Sequence, residues 1–200
     1  STKNSTILYA VLGKSSHWTN EPNAPTAIET IKDKHYDLWK NAIGAKKIST
    51  TDVSHVIPRN DWATGRVYPM YKHTNINLYT SNFFVLTDQN NVYKCLYNNK
   101  GGLSTVKPAG FSTTPFTTSD GYTWKYMYTM SLGQANKFLT ATHMPVSTII
   151  TSDNSTEQNN QLAVQNASVN GAIHVIETND VGSGYGMLNS TPVIDATSTT

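Results

Sequence analysis

Asp120-Gly121-Tyr122-Thr123-Trp124-Lys125-Tyr126-Met127-Tyr128 is the stretch that decides the fold. Side chains alternate across a β-strand, so Tyr122, Trp124, Tyr126 and Tyr128 project from one face and Thr123, Lys125 and Met127 from the other. A strand is predicted from Gly121 to Thr129, with one face made of large amphipathic rings. Three readings of that face stay open. It is a core face, a contact face for a protein partner, because Tyr and Trp concentrate at interfaces, or a platform for sugar rings.

Working outward, Phe83-Phe84-Val85-Leu86-Thr87 and Val92 to Tyr97 flank Asp88-Gln89-Asn90-Asn91, which reads as a hairpin turn. Asn98 to Ser119, with Gly101-Gly102, Pro108, Gly110 and Pro115, is a long irregular loop, of a length that usually makes contacts or carries function. After the aromatic strand, Ser131 with Gln134 three residues on forms a capping box for a short helix to Leu139. Upstream, Val53 to Ile57 is a short strand halted by Pro58, and strand-like pieces follow over Arg66 to Tyr71 and Asn75 to Tyr79. Near the start, Thr6 to Leu12 reads as a buried strand and Gly13 to Pro25 as a loop. Thr26 and Glu29 then cap the clearest helix. Ile28, Ile31, His35, Leu38, Trp39, Ala42 and Ile43 share one face of it, Gly44 lies near its end, and Lys46-Lys47 complement its dipole.

Past Pro145 the texture changes. Thr151 to Asn160 is polar and unpatterned, as a linker or exposed loop would be. Ala172 to Thr178 reads as a strand, and Gly182-Ser183-Gly184-Tyr185 with Thr191-Pro192-Val193-Ile194 as the start of a β-hairpin. The expected fold class is α+β and strand-rich: a mixed core domain over 1–150 with one long and one short helix, then a linker and the beginning of a β-rich module over 151–200. The chain has no initiator Met and stops at Thr200 without a terminating feature, so it is expected to continue.

Composition narrows the function. Roughly a third of the 200 residues are Ser, Thr or Asn, while charged residues make up only 14%, so the surface is wetted by hydroxyls and amides rather than ions. A formal charge of +2 with one adjacent basic pair, Lys46-Lys47, provides no footprint for nucleic acid. No signal peptide or membrane-length apolar run is present, which points to a soluble product with no membrane partner. Cys95, the single cysteine, sits in a strand-like alternation and reads as a structural thiol. The four Asn-x-Ser/Thr sites at Asn4, Asn154, Asn166 and Asn189 are what so Asn- and Thr-rich a chain contains by chance.

No local pattern carries catalytic chemistry. Gly13-Lys14-Ser15 follows a strand, but a phosphate loop needs a further glycine where Leu8 stands, and the residues after it do not open a helix. The six histidines share no metal-binding spacing. His35 is expected on an apolar helix face as a core histidine, while His55 and His174 are expected to face solvent. Asp153 and Glu157 lack the calcium-loop pattern. Asp61 and Asp120 are expected to accept backbone N–H bonds at turns rather than to form a catalytic pair. No cofactor, metal or small-molecule substrate is implied.

Two tryptophan-bearing blocks, Val56-Ile57-Pro58-Arg59-Asn60-Asp61-Trp62 and Asp120-Gly121-Tyr122-Thr123-Trp124, carry a resemblance. Together with Tyr9-Ala10-Val11-Leu12-Gly13-Lys14-Ser15-Ser16-His17-Trp18, Asp37-Leu38-Trp39 and Val92-Tyr93-Lys94-Cys95-Leu96, they stand in the same order as in a baseplate wedge protein of contractile-tailed, T-even-like bacteriophages, the wedge subunit that dimerises. The ordered set covers about residues 7 to 145. This chain is much shorter than the T-even member between the Cys-Leu strand and the Asp-Gly-Tyr block. Past 150 it resembles only the Gly-Ser-Gly-Tyr repeats of phage structural proteins. The resemblance implies a virion protein of the tail baseplate, assembled in the host cytoplasm and without catalytic activity. It would form homodimers, bind other wedge proteins, and follow the baseplate's rearrangement on sheath contraction. Trp18, Trp39, Pro58, Arg59, Asp61, Trp62, Asp120, Gly121, Tyr122 and Trp124 are the structural or interface candidates it singles out. A carbohydrate-binding or glycan-cleaving tail module is the alternative.

Overall fold

The computed structural model describes residues 7–13, 20, 31–178, 182–183, 187–188 and 191–192. The chain divides into two units, Ser1–Val56 and Ile57–Thr200. The fold is α+β and strand-rich.

In the first unit, β1 (Leu8–Gly13) is followed by α1 (Ile31–Asn41), which runs without a loop into β2 (Ala42–Ile48). β2 pairs antiparallel with β1, from Leu8 opposite Ile48 to Gly13 opposite Ala42. The helix expected to reach Ile43 therefore stops at Asn41, and Ala42, Ile43, Gly44, Lys46 and Lys47 belong to a strand. The β1 ladder supplies their backbone partners, and β-branched Ile43 and Ile48 suit a pleated ribbon. Gly13 permits the junction, since a Cβ there would stand 3.3 Å from the Asn41 carbonyl oxygen. The glycine that imitates a phosphate loop is instead a point of close backbone approach.

Burial of β1 does not hold either. Leu12 is 74% exposed, Leu8 and Tyr9 are exposed, and on α1 His35, Tyr36 and Leu38 face solvent, with Trp39 at 77%. Among the described residues of this unit, two strands and one helix give these side chains no second layer to pack against. The Thr26–Glu29 cap, Ile28 and Trp18 lie outside the described residues.

β3 (Val56–Pro58) begins on the last residue of the first unit, and the second unit contains the rest of it with β4 (Phe84–Leu86), β5 (Asn91–Asn98), β6 (Phe116–Thr117) and β7 (Tyr122–Thr129). After these come α2 (Leu132–Phe138), β8 (His143–Pro145), α3 (Thr156–Asn166) and the two-residue strands β9 (Met187–Leu188) and β10 (Thr191–Pro192). The main sheet is antiparallel in the order β4-β5-β7-β6, and β3 pairs with β8. The β4–β5 turn closes through Thr87 N–H to the Asn91 carbonyl (2.9 Å), with Asn90 at φ 59°, a value asparagine tolerates well. Ser131 and Gln134 form the expected capping box on α2, each side chain bonding the other's backbone N–H at 3.2 Å.

Three other sequence expectations give way. Arg66 to Tyr71 and Asn75 to Tyr79 form no strands; Tyr68 is drawn into the core, and the Asn75 side chain accepts the Asn77 N–H (2.8 Å) in place of a ladder. The polar stretch expected as a linker contains α3. Ser155 caps that helix, Gln161 donates to the Ser147 carbonyl (2.8 Å), and Val164 is buried in the same cluster as Trp124. The chain therefore continues as packed structure past residue 150. Ala172 to Thr178 is not a strand, and its exposed residues have no ladder partner among the described residues. Of the Gly182 to Ile194 hairpin, β9 and β10 are present; Gly184, Tyr185, Val193 and Ile194 lie outside the described residues.

The core settles the reading of the aromatic strand. Tyr122, Trp124 and Tyr126 are buried with Tyr68, Val85, Tyr93, Cys95 and Val164. Tyr128, on the same expected face, joins a second cluster with Leu86, Val92, Met130 and Met144. A register shift between Val92 and Tyr93 separates the two clusters along the strand.

Candidate functional site

Ser104, a fully buried residue of the long loop, is where the two tryptophan blocks meet. Trp62 Nε1–H donates to Ser104 Oγ (3.2 Å), and Ser104 donates to Asp120 Oδ2 (3.2 Å). Each block is fixed separately by its own backbone.

In the first block Pro58 ends β3, because its ring has no N–H to continue a ladder. Arg59 N–H then bonds the Thr142 carbonyl (2.9 Å), while Trp62 N–H and the Asn60 carbonyl bond Leu86 on both sides (2.8 and 2.9 Å). Asp61 takes a different role from the expected one. Its two oxygens accept the Arg59 guanidinium as a fork, Nε and Nη2 at 2.8 Å each, and Nη1 reaches the Thr140 carbonyl at 3.0 Å. The hydrogen bond that Arg59 donates to Asp61 leads the effects that hold its guanidinium more strongly protonated than usual.

Asp120 does accept backbone N–H groups. Oδ2 takes those of Thr105 (2.8 Å) and Val106 (2.9 Å), and Oδ1 takes the Thr118 hydroxyl and the Tyr122 N–H. Partial burial pushes its pKa upward, but the donors from Thr118, Val106, Thr105 and Tyr122 outweigh it and leave the carboxyl below its ordinary value. Gly121 follows at φ +83°, where a Cβ would lie 2.8 Å from Asn99 Cγ. Asn99 in turn donates to the Asp120 carbonyl (3.1 Å). Only glycine fits that backbone shape and that space.

The rings complete the corner. Tyr122 stacks on Trp124, with centroids 5.3 Å apart and planes at 16°, and Tyr68 meets Trp124 edge-on at 5.9 Å. Tyr122 Oη donates to the Gly102 carbonyl (2.6 Å) and accepts the Tyr68 N–H (3.3 Å), and Tyr68 Oη accepts the Ala63 N–H (2.6 Å).

Asp61, Trp62, Asp120, Gly121, Tyr122 and Trp124 are thus linked through Ser104 and Tyr68, Arg59 joins them through Asp61, and Pro58 precedes Arg59 at the end of β3. Trp39 belongs to the other unit, on an exposed helix face, and Trp18 is outside the described residues. Ser104, Tyr68 and Asn99 were not legible as site residues; the long loop expected over Asn98 to Ser119 contains Ser104 and Asn99 without naming them, and Tyr68 falls in a piece expected as a strand.

This corner holds shape, and both carboxylates are committed to structural donors. Cys95 is buried and its thiol is pushed up to about 12 by burial, which keeps it from acting as a thiolate. Among the described residues no group of three His, Cys, Asp or Glu converges as a metal ion requires, and no helix is long and apolar enough to cross a membrane. A polar depression of about 440 Å³ between Met70, Lys72, Asn98, Lys100 and Glu177 is wide open, unlike the concave apolar pockets that enclose small ligands. No protein family and no curated protein matches the chain.

Proposed function

We propose that this chain is a structural subunit of a contractile phage tail, a baseplate wedge component. It forms homodimers, binds other wedge proteins and performs no chemistry of its own. One observation carries this reading: the two blocks on which the wedge resemblance rests are joined through Ser104 into one hydrogen-bonded corner. The corner uses each Trp and Asp of the blocks for shape. Burial of Tyr122, Trp124 and Tyr126 leaves no sugar platform on that strand, which weighs against the glycan-binding alternative.

In this role the Ile57–Thr200 unit is a rigid frame, and the exposed Tyr9, Leu12, Tyr36 and Trp39 of the other unit are the apolar surface that subunits cover. Light scattering over a concentration series, followed by mixing with the other tail proteins of the same phage, tests the proposal. A dimer that binds them and is weakened by Trp39→Ala is the expected result. A monomer at every concentration, or turnover of a glycan, overturns it.

A further inference from the structure

We propose that the sheet face opposite the aromatic core docks a carboxylate-bearing segment of another protein between Lys94, Lys125 and His174. The site is separate from the Ser104 corner, and its argument stands without the wedge reading. β5 and β7 pair so that Lys94 is directly across from Lys125. Both project away from the face that carries Tyr93, Cys95, Trp124 and Tyr126. Like charges directly opposite one another weaken a sheet.

Lys94 is also held in place. Its Nζ lies 3.3 Å from the centroid of the Tyr71 ring and 5.8 Å from that of Phe83, so the ammonium group rests on an aromatic seat. Burial and then Lys125 bring its pKa down to about 8. The segment after α3 brings a third base to the pair: burial, then Lys125, then Lys94 lower the pKa of His174. The acid on that segment, Glu177, faces Lys72 at 3.6 Å. Among the described residues no carboxylate contributes to the shifts of Lys94 or His174. Among the described residues, then, Lys94 and Lys125 face each other across the strands, His174 lies within their field, and the sheet keeps the repulsion in its ground state. A carboxylate entering between them relieves it.

The chemistry favours an acidic protein segment over nucleic acid. Three bases on a chain of formal charge +2 do not form a stripe that follows a phosphate backbone. Tyr71 and Phe83 pack edge-on against each other, 5.3 Å apart, rather than lying open for base stacking. Phe84, opposite Lys94 on the next strand, packs against the second core cluster and so fixes the edge of the site.

The test adds hexaglutamate to the whole chain at low ionic strength and follows the His174 ring signals by NMR across pH. Saturable shifts with a raised His174 pKa are expected. Lys125→Gln is expected to weaken binding about tenfold while leaving the free protein as stable or more stable, since it removes a repulsion. Lys94→Met, which keeps the stem over Tyr71, is expected to weaken binding similarly. Unchanged binding by Lys125→Gln overturns the proposal. So do equal shifts with sodium chloride at matched ionic strength or with inorganic phosphate, and so does tighter binding of a single-stranded oligonucleotide.

Discussion

Trp39 and Trp124 lie in the two units of one chain and have opposite environments. Trp39 is 77% exposed on a helix beside a two-stranded ribbon, whereas Trp124 is fully buried under Tyr68 and Tyr122. Neighbouring tyrosines follow the same division, with Tyr9 and Tyr36 in solvent and Tyr93, Tyr122 and Tyr126 buried. Residue type does not separate the units; the number of layers does. A four-stranded sheet with α3 packed on it closes a core, while among the described residues of the first unit one hairpin and one helix leave apolar side chains exposed.

The largest expected effect tests this contrast directly. Trp124→Ala is expected to cost about 3–5 kcal/mol in urea unfolding, as removal of a buried aromatic does, and Trp39→Ala within about 0.5 kcal/mol. Equal losses at the two sites would break the comparison. Trp62→Ala, half-buried and bonded to Ser104, is expected to fall between them and to damage folding more than partner choice. A soluble, fully folded Trp62→Ala protein that merely fails to assemble contradicts that ordering.

Asp120 comes next. Asp120→Ala leaves the Thr105 and Val106 N–H groups without their acceptor, with an expected cost of about 2 kcal/mol. Because the folded-state pKa is depressed, the carboxylate's contribution is present above the unfolded value near 3.9 and is lost as pH falls through the lower folded value. The free energy of urea unfolding, followed by tryptophan fluorescence, should therefore fall more from neutral to acid pH in the wild type than in Asp120→Asn. Identical falls would remove Asp120 from the account. Gly121→Ala is expected to cost roughly 1–2 kcal/mol through its positive φ and the Asn99 contact. Asn99→Gly removes the contact together with the Asn99 bond to the Asp120 carbonyl, so the double variant is read against Asn99→Gly alone, and a smaller Gly121→Ala cost in that background separates the two causes.

How much of this was legible follows from how local each signal is. The β4–β5 hairpin, β7 and α2 were readable because turn residues, alternation and a capping box all lie within a few positions of each element. The passage from α1 into β2 was not, since Trp39, Ala42 and Ile43 continue a helical spacing and the β1 partner that overrides it lies far upstream. α3 was hidden by its polarity, because only Gln161 and Val164 on it are buried. Eight of the corner's residues were named from motifs. Ser104, which joins them, had no signal of its own: an isolated serine becomes a relay only when a loop brings it between Trp62 and Asp120.

The smallest contrast compares one ion pair from each unit. Lys46 Nζ meets Asp52 at 2.7 Å with Lys46 72% exposed, and Arg59 meets Asp61 through a two-pronged fork with its own side chain only 29% exposed. A flexible ammonium in water spends side-chain entropy to hold one geometry, and salt screens what it gains. The guanidinium is planar and its Nη1 also satisfies the Thr140 carbonyl, so less freedom is lost per bond. Arg59→Ala is therefore expected to cost about 1 kcal/mol and Lys46→Ala less than about 0.5 kcal/mol, with the Arg59 effect the less sensitive to added salt. Arg59→Lys separates charge from shape. If the fork matters, lysine recovers little of the loss; if charge alone matters, it recovers nearly all, and the corner's rigidity must then come from Asp120 and the stacked rings alone.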